Sequence, residues 1–144
     1  MRKEIYNLIK ESLLLIKDES GENKIKHIDF WNDQIRYIAN EKPFFTPAVF
    51  VEFSPIEWRN QLKGIREANI WFKLHVVTRN TTGNWEEVIE SFDMLEEIYK
   101  ALHGVRTDRI GSITITASDT DHNFDELRED IETYCCHVTT DSIK

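Results

Sequence analysis

Three observations predict an α+β fold: a four-stranded, mainly antiparallel sheet with helices packed on one face. Two stretches carry apolar residues at spacings of three and four, the amphipathic helix period. Several others alternate apolar and polar residues or run short and apolar, as strands do. The two kinds follow one another as α-β-β-α-β-β, which suits helices segregated to one side of a sheet. The 144 residues, 40% hydrophobic and 31% charged, have the composition of a water-soluble globular chain. A chain this long buries roughly 70% of its unfolded surface. Residues 1–144 are therefore expected to form a single domain, with an N-terminal helix over 2–18 and a core α+β unit over 43–140.

The first helix rests on Ile5, Leu8, Ile9, Leu13 and Ile16, with polar residues between them. The polar run Glu19-Ser20-Gly21-Glu22-Asn23 should end it, Gly21 taking a left-handed conformation. Residues 25–37 show no clean period and suggest a short extended piece, then a helical turn near 31–38. Pro43 and Pro47 bracket Phe44-Phe45-Thr46 and hold it extended, a lead-in to the run Ala48-Val49-Phe50-Val51-Glu52-Phe53. That run reads as a strand covered on much of both faces, and Ser54-Pro55 stops it. After a polar link containing Gly64, Ile70, Phe72, Leu74 and Val76 alternate with Trp71, Lys73, His75 and Val77, the clearest strand in the chain.

Asn84 followed by Glu87 resembles an N-cap with a capping-box partner. Val88, Phe92, Leu95, Tyr99 and Leu102 then mark the inner face of a helix that ends at His103-Gly104. Ile113, Ile115 and Ala117 alternate through a third strand, and an acidic link leads to a fourth over about 130–140, with Tyr134, Cys136 and Val138 on one face.

The charge is −8, and the 18 Lys and Arg are scattered, poor material for gripping phosphates. Neither a secretory segment nor a run of ~20 apolar residues is written in the chain, so a cytoplasmic protein is expected. Cys135 and Cys136 are adjacent on a strand, point to opposite faces, and should not pair with each other. Asp119, Asp121, Asn123 and Asp125 match the start of a calcium loop, but Phe124 stands where Gly is needed and Asp130 where a bidentate Glu is needed. A solvated acidic link is the plainer expectation.

His27, His75, His103, His122 and His137 are dispersed, without the i, i+4 spacing of a metalloprotease helix. His75 is expected to face solvent or a neighbouring subunit, and His103 to sit at the negative end of a helix. Serine elbows, P-loops and dinucleotide fingerprints are absent from the sequence. No catalytic, cofactor or metal residues are assigned. The aromatic residues stand out: Phe44, Phe45, Trp58, Trp71 and Trp85 lie at element edges, in linkers or on the less apolar strand face, and the first four are the candidate subunit interface.

The stretch from Pro43 to Phe53, with Trp58, the Leu74-His75-Val76-Val77 strand, the helix from Trp85 to Leu102 and the strand with Tyr134-Cys135-Cys136, resembles the tail terminator, or tail-completion, proteins of long-tailed phages and prophages. The similarity covers most of residues 28–140. It implies a non-catalytic α+β subunit forming a homo-oligomeric ring, often a hexamer. Such a ring caps the head-proximal end of the tail and contacts the tail tube and head-completion proteins. The subunit is cytoplasmic during assembly and then part of the virion tail, without membrane contact or sequence-specific nucleic-acid binding. A small intracellular enzyme or ligand-binding module is the alternative, to be recognised by an enclosed pocket with perturbed carboxylates or histidines.

Overall fold

The computed structural model describes residues 1–32, 44–80, 85–124 and 126–141, with the backbone alone for 121–124. Along the chain run α1 (Arg2–Leu13), β1 (His27–Phe30), β2 (Ala48–Phe53), β3 (Arg59–Asn60), a 3-10 turn (Leu62–Gly64), β4 (Ile65–Arg79), α2 (Trp85–Leu102), β5 (Thr114–Phe124) and β6 (Leu127–Asp141). The α+β class holds. The sheet, however, has six strands rather than four, in the order β1-β2-β4-β6-β5 with β3 also pairing β4.

The pairings are antiparallel except β1 with β2. β4 and β6 form the spine, in unbroken register from Ile65 opposite Asp141 to Arg79 opposite Leu127. The expected strand at 70–77 thus extends by several residues at its start. Arg66, Glu67 and Asn69 carry no strand signal of their own; pairing to β6 holds all three extended, and β3 pairs Arg66 and Glu67 on the other side.

Ile5, Ile9 and Leu13 of α1 and Met94, Ile98 and Leu102 of α2 join Ile70, Phe72, Leu74, Val76, Tyr134 and Val138 in one buried cluster. Both helices therefore lie on one face of the sheet. Each of these large apolar side chains contributes about 1.5–3 kcal/mol of transfer free energy. The opposite face carries a smaller cluster of Ala48, Phe50 and Val77, with Trp31, Phe44 and Leu127 packed against it. The continuous apolar run of β2 is buried on both sides from Ala48 to Val51, as its sequence predicts.

Helix α1 stops at Leu13, five residues short of the expected end. Leu15 and Ile16 make 3-10-type bonds to Ser12 and Leu13. The Asp18 carboxylate then accepts from the Ser20 amide, the Ser20 hydroxyl and the Glu22 amide. Those bonds hold the Asp18 carboxyl below its ordinary range and compete with a continuing helix. Gly21 does adopt a positive φ of 84°, but within this turn rather than as a helix cap.

The acidic link is also strand. Asp119, Thr120 and Asp121 extend β5 opposite Ile131, Asp130 and Glu129, so the calcium-loop geometry is replaced by a ladder. Gly104 closes α2 with a φ of 78°, as expected. The short extended piece before residue 31 is β1. The proposed turn at 31–38, Pro43 and the Asn84 cap fall wholly or mostly outside the described residues.

Candidate assembly surface

The four aromatic candidates separate into two pairs. Phe44 is half-buried, edge-on to Phe50 at a centroid distance of 5.1 Å and stacked against His27 at 5.9 Å. Trp58 is half-buried against the main core with the Arg66 guanidinium 4.2 Å above its ring. These two serve this chain's own packing in large part. Phe45 and Trp71 are instead exposed, by 80% and 42%. Trp71 stands on the face away from the helices, because its position in β4 alternates with the buried Ile70 and Phe72. With Pro55, Glu57, Arg59 and Asn69 it lines a shallow hollow of about 370 Å³.

Trp85, marked in the sequence as an edge aromatic, begins an exposed apolar row whose other members the sequence reading did not place there. Of the inner row expected for α2, Leu102 is buried and Leu95 packs against the core, but Phe92 is exposed, and Ser91, Met94 and Ile98 make up the rest of the buried row. Trp85, Ile89 and Phe92 are turned outward and are 72%, 46% and 44% exposed. Phe92 meets Arg128, whose guanidinium lies 5.2 Å from the ring centroid. Arg128 is itself held at 3.0 and 3.1 Å by both oxygens of the buried Asp130. The signal was present in the sequence, since Trp85, Ile89 and Phe92 repeat at four and three.

His75 departs most from expectation, being only 5% exposed. Its Nδ1 lies 2.8 Å from Glu129 Oε2 and its Nε2 2.8 Å from Glu52 Oε1. Trp31 covers the ring in a parallel stack at 3.8 Å. Neutral imidazole has a single N–H, so both bonds are made together only when the ring carries a second proton or a carboxyl carries one. Either way both ring nitrogens are engaged, and the cluster joins β2, β4, β6 and the chain beyond β1. Position along β4 was visible in the sequence, but partners 23 and 54 residues away were not.

At the helix side of β6, burial raises the Glu132 carboxyl, with Asp130 and Glu96 adding to the effect against a hydrogen bond from Ser118. Burial also raises the Tyr134 hydroxyl, and neighbouring Glu132 adds to it. Cys135 and Cys136 are both free, and burial, with Cys135 adjacent, pushes the Cys136 thiol up to about 12. Such a thiol is a packing group, not a nucleophile. A hollow of about 780 Å³ beside α2 is lined by side chains of both signs, among them Lys24, Arg79, Lys100, Glu87 and Glu90. Among the described residues, no three His, Cys, Asp or Glu side chains group as metal ligands, and no helix is long and apolar enough to cross a membrane.

No family model and no curated protein matches the chain. Among solved structures, one chain in the "Virion of native gene transfer agent (GTA) particle" is similar, at 11% identity and a TM-score of 0.48 over 78% of each chain. A match of this degree carries no argument about the present chain.

Proposed function

We propose that the chain is a structural subunit of a phage or prophage tail: a terminator or completion protein that forms a ring at the head-proximal end of the tail and joins it to the head. One observation carries the proposal. Phe45, Trp71, Trp85 and Phe92 remain exposed on a fold whose sheet already has an apolar cluster on each face. Large aromatics left outside a filled core are the material of protein interfaces. The resemblance of residues 43–53, Trp58 and the β4 strand to tail terminators gives that surface a specific use. A net charge of −8 suits a ring through which DNA passes without adhering. The role carries no catalysis, and its partners are further copies of this chain, the tail tube and head-completion proteins.

The test is assembly of the purified chain, read by light scattering and negative-stain microscopy alone and with tail tubes. Rings with a central opening are expected. Trp71→Ala and Phe45→Ala should each weaken association about tenfold or more while moving the melting temperature little. Equal loss of association and folding would assign these side chains to the core.

A further inference from the structure

Glu132 is only 6% exposed, on the face of β6 that the helices cover, and its Oε2 has no hydrogen-bond partner. Ser118, opposite it on β5, donates its hydroxyl to the carboxyl and so takes the other oxygen. Native chains leave few buried polar atoms unpaired, and a carboxylate oxygen is among the costliest to leave so. Glu132 lines a hollow of about 380 Å³ between α2 and the β5–β6 pair. Phe92 and Leu95 form its apolar side, and Ser118, Asp119, Thr120 and Asp130 form its polar side.

The lining selects an occupant by charge and by donor count. Three carboxylates and no basic side chain are among the residues that line the hollow. Asp130 is already satisfied: its two oxygens hold the Arg128 guanidinium at 3.0 and 3.1 Å, and one of them accepts from the Thr120 hydroxyl at 2.8 Å. Glu132 keeps an oxygen that can accept, so the occupant is a cation that donates. A water needs about 30 Å³ and would leave the apolar side unused. A guanidinium fork calls for both carboxylate oxygens, and Ser118 holds one of them. A divalent cation calls for several anionic ligands, and no three His, Cys, Asp or Glu side chains group in that way among the described residues.

We propose that this hollow binds a primary alkylammonium, whose N–H groups donate to Glu132 Oε2 and the Thr120 hydroxyl oxygen while its methylenes lie along Phe92 and Leu95. A long alkyl stem with a charged head suits a site that is apolar on one side and anionic on the other. Asp119, exposed at the rim, adds attraction for the charge. A free alkylamine and the lysine side chain of a second copy share this chemistry. Binding requires Glu132 to be ionised. Burial first, then Asp130 on its own strand and Glu96 on α2, hold its carboxyl above the ordinary range, and Tyr134 faces it from two residues along β6. The amine keeps its proton to about pH 10. Affinity therefore rises as pH climbs through the raised carboxyl value and falls away in acid. The site does not depend on the ring-forming reading.

The test measures the melting temperature of the full chain with n-butylammonium chloride and, at equal concentration, with tetramethylammonium chloride, which carries the charge but no N–H. At pH 8 saturating n-butylammonium should raise the wild-type value by about 2 °C or more, and tetramethylammonium should leave it in place. The shift should vanish toward pH 4 and in Glu132→Gln. It should persist in Glu90→Gln, which removes a carboxylate from the other hollow beside α2. The titration midpoint of the Glu132 carboxyl, read from its carbon chemical shift, should move to lower pH when the amine is added. Light scattering separates the two sources: the amine displaces a lysine of a second copy and lowers the mass of the assembled chain, whereas it leaves the mass unchanged if the natural occupant is a free amine. A wild type that does not respond to n-butylammonium would overturn the site. So would a shift that tetramethylammonium reproduces or that Glu132→Gln retains.

Discussion

His75 shows how much a single residue depends on partners from distant strands. Removing it by His75→Ala leaves Glu129, 6% exposed, as a buried carboxylate without its nitrogen partner. Breaking a buried pair from one side costs about 3–5 kcal/mol, and a urea unfolding midpoint should fall accordingly. Adding Glu129→Gln should recover part of the loss, as expected for two groups in one network. Glu132 gives a test with the opposite sign. Its carboxyl is raised above the ordinary value, chiefly by burial, so the folded state favours the protonated form. That contribution is present at acid pH and is lost as pH rises through the raised value. Glu132→Gln should therefore raise the melting temperature at pH 8, by a few degrees for about 1 kcal/mol, with the gain shrinking toward pH 4.

Helix α2 offers a direct comparison between its two rows. Ile98 is fully buried and Ile89 is 46% exposed. Ile98→Ala should cost about 2–4 kcal/mol, the transfer term plus the cavity left behind. Ile89→Ala should stay within about 0.5 kcal/mol in a chemical melt of the monomer. The element's existence and its stop at Gly104 were legible because period and punctuation agree. The identity of its inner face was not, because Trp85, Ile89, Phe92 and Met94, Ile98, Leu102 both satisfy the helical spacing, and only docking on the sheet chooses between them. β2 and the middle of β4 were legible from apolar runs and alternation. β1 was seen only as a short extended piece, and β3 has two polar residues without a pattern. Each is extended because a neighbouring strand completes its hydrogen bonds. The acidic half of β5 was hidden for the same reason: Asp119 and Thr120 suggest a solvated link until β6 is placed beside them.

At the scale of the whole molecule, the α+β class was legible from the order of helical and alternating stretches, whereas the sixfold strand count depended on tertiary pairing. Of the candidate surface, Phe45 and Trp71 stand exposed as the sequence suggested, and Phe44 and Trp58 are half taken up by the chain's own packing. The outer row of α2, Trp85, Ile89 and Phe92, adds a second exposed apolar surface. The most direct test of the assembly role is mass in solution by light scattering across a concentration series, with negative-stain images of each fraction and with tail tubes added at the end. The account predicts a mass that climbs to a fixed multiple of the subunit and images of closed rings. A mass of one subunit at every concentration, unchanged by tail tubes, would contradict it.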